Sequence, residues 1–158
     1  MQTSVISGII SAIFIYNQNY KSGAVLYLIA YIFDCADGNY ARKYNMVTSF
    51  GDKYDHYSDI FKFILTLIVI LVQPICRLYK IIIMFSAIIL YSLTAVHFGC
   101  QEKIYNKPYG NEFLSNLVKL CPSYDAIYVT RYMGCGTIMV YITVLILLIP
   151  FIVVKQSS

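Results

Sequence analysis

Five long apolar runs constrain the fold of this chain more than any other feature of its sequence. An α-helix rises about 1.5 Å per residue, so about 20 apolar residues cross the roughly 30 Å hydrocarbon core of a bilayer. The last two runs are close to that length, and the others approach it when their flanks are included. Short polar stretches separate the runs, which cover residues 5–16, 24–33, 60–72, 81–98 and 136–154.

Charged side chains are too scarce for a soluble protein. They make up 13% of the 158 residues, whereas 59% of the residues are hydrophobic; an ordinary soluble domain has about 25% charged residues. We therefore predict an all-α fold, a polytopic membrane helix bundle, and exclude soluble and disordered classes. The 12 basic residues are dispersed along the chain, so nucleic acid is not an expected partner.

The number of membrane spans depends on the more polar segment 99–134. If it forms a loop or an interfacial helix, the bundle has five spans and its ends face opposite sides of the membrane. If it hides a further span, the bundle has six, and both ends face the same side. The distribution of basic residues favours the cytoplasmic side for the polar junction between the second and third runs.

The chain is expected to form one domain over residues 1–158, because it shows neither an internal repeat nor a low-complexity linker. The first run is short, so we expect a trimmed N-terminal helix. It lacks the features of a signal peptide and is interpreted as a retained anchor. The cysteines form no C-x-x-C pair and are predicted to be buried or reduced thiols: Cys35, Cys76, Cys100, Cys121 and Cys135.

Acidic residues cluster where the second and third runs meet. On a helix, Asp34 and Asp37 lie on one face at i, i+3, and Asp55 and Asp59 share a face of the next helix at i, i+4. Carboxylates near a membrane helix are costly without a compensating cation, and are functional candidates by default. Asp52 also lies in this stretch and is interpreted as a solvated or capping residue.

Four converging carboxylates suit hard divalent cations. Mg²⁺ and Mn²⁺ prefer oxygen ligands, and two such ions can clamp a pyrophosphate. Small residues beside the carboxylates would let a nucleotide approach the helix backbones, and Arg42 offers a permanent positive charge for phosphate. The small residues are Gly38, Ala41 and Gly51.

Together these residues form a motif that resembles the complete signature of the CDP-alcohol phosphotransferase (CDP-alcohol phosphatidyltransferase) family. At about 5% usage per residue type, eight fixed positions match by chance on the order of once in 10¹⁰ placements. The detailed resemblance covers residues 34–59, and the apolar runs fit the family's membrane helices. The motif is Asp34-x-x-Asp37-Gly38-x-x-Ala41-Arg42-x₈-Gly51-x₃-Asp55-x₃-Asp59.

The resemblance implies a role for each matched position. The aspartates Asp34, Asp37, Asp55 and Asp59 match the family's ligands for two Mg²⁺ or Mn²⁺ ions. Asp59 also matches the position assigned as the base for the acceptor hydroxyl. The positions that would line the CDP site are Gly38, Ala41, Arg42 and Gly51. The implied reaction is attack of an alcohol on a CDP-linked donor with release of CMP, by a homodimer in the membrane.

The residues that distinguish the branches of the family point in two directions. Residues 41–51 resemble the phosphatidyltransferases, whose donor is CDP-diacylglycerol, and the short chain favours that type. The pair Asp55-His56 instead resembles the choline and ethanolamine branch, in which the histidine is a candidate catalytic base. The donor is lipid in the first case, and the acceptor is lipid in the second.

The same residues also allow interpretations without this enzymatic activity. The aspartates would serve as helix caps and as partners of Arg42, Lys43 and Lys53 in a purely structural cluster. A transporter would also keep carboxylates between helices, but broken half-helices and repeated halves are not apparent. An inactive scaffold of the same family would be expected to have lost a motif residue, and none is lost.

Overall fold

The long helices follow the predicted apolar runs. A computed structural model describes residues 2–46, 48–105 and 116–153. Within them no strand forms beyond a single antiparallel bridge pair, so the all-α prediction is confirmed. The long helices are α1 (Gln2–Tyr16), α2 (Tyr20–Lys43), α3 (Ser49–Val72), α4 (Arg77–Tyr105) and α5 (Cys135–Ile152).

Two described segments are long and apolar enough to cross a membrane, Arg77–Ile104 and Ile127–Ile152. Helices α2 and α3 have 24 residues each, but both carry charged residues of the motif. The described helices confirm a helical membrane bundle as the fold class. The number of membrane spans, five or six, remains a prediction. Residues 116–134 form short helical turns, and the rest of the polar segment, 106–115, lies outside the described residues.

Short connections set the boundaries of α2 and α3. Gln18 adopts a left-handed backbone conformation, with a φ of 60°, in the turn after α1. Asn19 then caps α2 by accepting a hydrogen bond from the backbone N–H of Ser22. After α2, Asn45 turns the chain with a φ of 53°. Asparagine is a residue type that tolerates this conformation. The two turns fix where the two motif-bearing helices begin and end.

The chain divides into two compact units, residues 1–80 with 141–158 and residues 81–140. In the first unit, α1 packs against both α2 and α3. Its buried face carries small residues at helical spacing, which let neighbouring backbones approach, as in other membrane bundles. The expectation of one domain over 1–158 remains a prediction. The buried face of α1 consists of Ser4, Gly8, Ser11, Ala12 and Ile15.

A close contact between α1 and α2 forms at Gly23. A Cβ atom at this position would lie 2.6 Å from Cγ1 of Ile15, too close for a real side chain. The hydroxyl of Ser11 donates a hydrogen bond of 2.7 Å to the Gly23 carbonyl. The α1–α2 spacing therefore depends on the absence of a side chain at position 23.

Gln73 links the same ends of α1 and α2 to the end of α3. It is buried at the end of α3, and its Oε1 accepts a hydrogen bond of 2.9 Å from the hydroxyl of Tyr20. Its Nε2 donates to the Ile15 carbonyl at 3.2 Å. One buried amide thus satisfies polar groups from both neighbouring helices.

The second unit contains a disulfide, which corrects the prediction of reduced thiols. Cys100 and Cys121 are bonded, with Cα atoms 4.9 Å apart, a separation that a disulfide can bridge. The two cysteines are 21 residues apart in sequence, so no short cysteine motif predicts the bond. The chain returns very close to α4 here, because a Cβ at Gly99 would overlap the Leu117 carbonyl oxygen.

The other cysteines are thiols outside the disulfide. Cys35 and Cys76 are exposed rather than buried, and Cys135 is half-buried. The prediction of buried or reduced thiols therefore holds for Cys35 and Cys76 through their reduced state, although both are exposed.

The disulfide predicts a thiol count. Alkylation of the denatured, unreduced protein should add three labels per chain, because three cysteines are not in a disulfide. Prior reduction should raise the count to five, the number of cysteines in the sequence. Intact-mass spectrometry measures both values. Five labels without reduction would contradict the disulfide.

Candidate active site

The motif residues lie on two consecutive helices, as predicted. Asp34 and Asp37 lie on α2, which continues past the apolar run to Lys43. Asp55 and Asp59 lie on α3, which begins at Ser49. The prediction that polar extensions of these two helices carry the motif is therefore confirmed.

Asp34 and Asp59 meet at the ammonium group of Lys62. Lys62 Nζ lies 3.1 Å from Oδ1 of Asp34 on α2 and 2.8 Å from Oδ1 of Asp59 on α3. It also donates a hydrogen bond of 2.7 Å to the hydroxyl of Ser4 on α1. Ser4 in turn donates to the same Asp34 oxygen at 3.0 Å. One cation thus connects three helices.

This ion pair is well buried. The side chain of Lys62 is 2% exposed, and those of Asp34 and Asp59 are 10% and 20% exposed. An ammonium group has three N–H donors, and three oxygen atoms surround this one. Removing one partner from such a buried pair typically costs about 3–5 kcal/mol, because a charge is left uncompensated. The acidic cluster and the helix packing therefore stabilise each other.

Helix α1 makes room for the lysine stem. A Cβ at Gly8 would lie 3.0 Å from Cγ and 3.2 Å from Cδ of Lys62, so the stem passes directly over this glycine. Ser4 lies one helical turn before Gly8 on the same face. The first helix therefore provides both the space for the side chain and one of its hydrogen-bond acceptors.

Lys62, Ser4 and Gly8 are site residues that the sequence analysis missed. Lys62 lies inside the run 60–72, which is apolar on average, and a charged residue in such a run is a recognised sign of a functional position. It also continues the spacing of Asp55 and Asp59 on one face of α3. Ser4 and Gly8 give no comparable signal, because small residues are common in membrane helices.

The charge and chemistry of this site fit a hard cation. Carboxylates from two helices converge on one positive charge, and carboxylate oxygen is the ligand that Mg²⁺ and Mn²⁺ prefer. In the described part of the chain, however, no three Asp, Glu, His or Cys side chains form a group that could hold a metal ion. The ammonium occupies the position between Asp34 and Asp59, and the four-aspartate ligand set stays a prediction.

The remaining acidic and basic candidates share the helices of this centre. Asp37, Asp55 and His56 are half-buried on the same two helices. The negative charges of Asp34 and Asp55 both act on Asp59, which places Asp55 within electrostatic reach of the ion pair. The assignment of Asp37 and Asp55 as ligands, and of His56 and Asp59 as catalytic bases, stays a prediction.

The proposed nucleotide-binding positions lie in the last turns of α2 and the first turn of α3. Arg42 is exposed and its guanidinium lies over Gly38, with Nη2 3.5 Å from where a Cβ would be. Ala41 is half-buried in the last turns of α2. Gly51 is in the first turn of α3, where its N–H donates to the capping hydroxyl of Thr48 at 3.0 Å. The positive charge therefore lies on a helix surface with little side-chain bulk beneath it.

Comparison with known proteins identifies the family. A family model described as CDP-alcohol phosphatidyltransferase matches residues 2–156, almost the entire chain. The chain belongs to the CDP-alcohol phosphatidyltransferase family. A membrane lipid biosynthetic family agrees with the two apolar helices, and this chain is a membrane protein.

Curated relatives within the CDP-alcohol phosphatidyltransferase family match a shorter stretch. A CDP-diacylglycerol–glycerol-3-phosphate 3-phosphatidyltransferase of Rickettsia felis is 50% identical over 56 residues, 35% of this chain and 31% of that protein. The protein of the same name from Rickettsia typhi is 54% identical over 39 residues, 25% of this chain and 22% of that protein. The matches therefore span less than a third of each relative. No solved structure matches the chain significantly.

The hydrogen bonds of Ser4 predict a measurable effect on stability. Ser4→Ala removes the hydroxyl that bonds both Lys62 and Asp34, and should lower the free energy of unfolding by about 1–3 kcal/mol. Thr3→Ala, at an exposed position on the same helix, should change it by less than about 0.5 kcal/mol. Denaturant titration in mixed micelles measures both. Equal effects of the two substitutions would contradict the role assigned to Ser4.

Proposed function

We propose that this protein is a metal-dependent CDP-alcohol phosphatidyltransferase of phospholipid biosynthesis. It transfers a phosphatidyl group from CDP-diacylglycerol to the hydroxyl of a polar alcohol and releases CMP. The observation that carries this proposal is the complete eight-position motif in a family member. The convergence of Asp34 and Asp59 on one cation position supports it.

The residues of the site are assigned roles that the transfer requires. Asp34, Asp37, Asp55 and Asp59 would hold two Mg²⁺ or Mn²⁺ ions. When bound, these ions supply charge neutralisation for the pyrophosphate and stabilise the entering and leaving oxygens. Arg42 binds phosphate charge, and the small residues of the motif admit the nucleotide: Gly38, Ala41 and Gly51.

The chemical step is a substitution at phosphorus. The alcohol oxygen attacks the β-phosphorus of CDP-diacylglycerol, and the bond from that phosphorus to the bridging oxygen breaks as CMP leaves. Asp59 accepts the proton of the attacking hydroxyl, with His56 as the alternative base. Catalysis of this kind depends mainly on positioning and electrostatic stabilisation.

The relatives favour CDP-diacylglycerol as the donor. Both Rickettsia proteins are named for transfer from CDP-diacylglycerol to glycerol 3-phosphate, and residues 41–51 resemble the same branch. Glycerol 3-phosphate is therefore the first acceptor to test. The second candidate function is transfer of a phospho-alcohol from CDP-choline or CDP-ethanolamine to diacylglycerol, which the pair Asp55-His56 favours.

The proposal also covers the oligomeric state and the membrane location of the enzyme. The protein is a multi-pass membrane homodimer in contact with membrane lipid, and its active site lies at the cytoplasmic interface. The cytoplasmic placement rests on the basic residues near the motif, and the dimer rests on the family resemblance.

Release of CMP tests the reaction class and the branch together. Detergent-purified protein with Mn²⁺ or Mg²⁺ should release CMP from CDP-diacylglycerol when an acceptor is present, and EDTA should abolish release. Release from CDP-choline or CDP-ethanolamine with diacylglycerol would select the second candidate instead. Folded, metal-binding protein that releases no CMP with any donor and acceptor would contradict both and favour a scaffold or transport role.

The role of Asp59 predicts a loss of turnover. Asp59→Asn removes the proposed base and should lower kcat by at least about 10²-fold, with CDP binding retained. Asp125→Asn makes the same chemical change at an exposed position outside the motif and serves as the matched control. Near-normal turnover of the Asp59 variant in a CMP-release assay would remove Asp59 from this role.

A further inference from the structure

Lys62 lies outside the motif and yet occupies its electrostatic centre. It contacts oxygens of Ser4, Asp34 and Asp59 at 2.7–3.1 Å, and its stem passes over Gly8. The two carboxylates it contacts are motif positions proposed to bind divalent cations. An ammonium and a metal ion would therefore use the same two Oδ1 atoms.

The shared oxygens matter because the ammonium and a metal ion would balance the same negative charge. The four motif aspartates carry four negative charges when ionised, and Lys62 offsets one of them at the point where α2 and α3 meet. Buried charges interact strongly and are poorly screened by solvent. An internal cation therefore stabilises the metal-free cluster, and also weakens its attraction for external cations.

We infer that Lys62 is a positioning residue that acts as a built-in counter-cation of the acidic cluster. It holds Asp34 and Asp59 together while the site is free of divalent ions, and it competes with those ions for the same oxygens. Lys62 thereby sets the concentration of divalent cation at which the site fills. This inference rests on the proposed function, because it takes the motif aspartates as the metal ligands.

A purely structural lysine would behave differently. Its loss would destabilise the protein equally with and without metal, and would leave the affinity for divalent ions unchanged or lower. Loss of a competing counter-cation should instead raise that affinity, and bound metal should restore much of the lost stability. Metal affinity and its linkage to stability therefore separate the two roles.

The test uses the full-length chain in detergent with Mn²⁺ alone as the probe, because free Mn²⁺ is counted directly by electron paramagnetic resonance. Lys62→Met keeps an unbranched apolar stem and removes the charge. Lys53→Met makes the same change at an exposed position on α3. We expect Lys62→Met to lower the Kd for Mn²⁺ at least about tenfold relative to wild type, and Lys53→Met to change it less than about threefold.

Thermal unfolding provides the second readout. In EDTA, Lys62→Met should unfold at a lower temperature than wild type, and saturating Mn²⁺ should remove at least half of that difference. An unchanged or weaker Mn²⁺ affinity, or an equal loss of stability with and without Mn²⁺, would overturn the inference.

A variant that fails to fold in EDTA still gives a decisive result. Lys62→Gln, whose amide can donate to a carboxylate, and Lys62→Met are then both purified in Mn²⁺. Recovery of folded protein only with Mn²⁺ supports the counter-cation role, and failure to recover either variant in Mn²⁺ overturns it.

The CMP-release assay on the same wild-type preparation separates this inference from the proposed function. Wild-type protein that releases CMP, while Lys62→Met gains no Mn²⁺ affinity, overturns only the role of Lys62. Wild-type protein that neither binds Mn²⁺ nor releases CMP overturns both.

Discussion

The contact of one buried ammonium with three oxygens organises the first unit of this protein. Lys62 can lie in a poorly solvated site only because Asp34 and Asp59 supply opposite charge and Ser4 supplies a further acceptor. Those partners belong to three different helices. The demand for charge compensation therefore constrains the relative placement of α1, α2 and α3, since a buried charge left without its partners is costly.

Helix α1 has a larger part in the site than its apolar sequence suggests. It carries no residue of the motif, yet Gly8 leaves space for the lysine stem and Ser4 bonds both charged partners. Further along the same face of α1, the Ser11 hydroxyl donates a hydrogen bond to the carbonyl of Gly23. A helix that resembles a simple membrane anchor is thus the support on which the charged centre is built.

The sequence predicted the parts of this structure that leave a periodic or spaced pattern. The apolar runs located the long helices, and the spacing of Asp34 and Asp37 placed them on one helix face. The role of Lys62 was not predicted, because its run is apolar on average and a single charge does not change that average. The Cys100–Cys121 bond was not predicted, because it depends on a return of the chain to Gly99. Partners chosen by tertiary contact carry no local signature, and the metal ligand set is likewise a prediction from motif alone.

The order of the charged partners along the chain bears on how the protein folds. Ser4 and Asp34 are synthesised before Lys62, so both α1 and α2 precede the helix that needs them. Within α3 itself Asp59 pairs with Lys62, and the other two oxygen contacts of the ammonium come from the two helices before it. A buried lysine is costly while its contacts are incomplete, so the final packing of α3 depends on helices that leave the ribosome first, which couples the folding of α3 to that of α1 and α2.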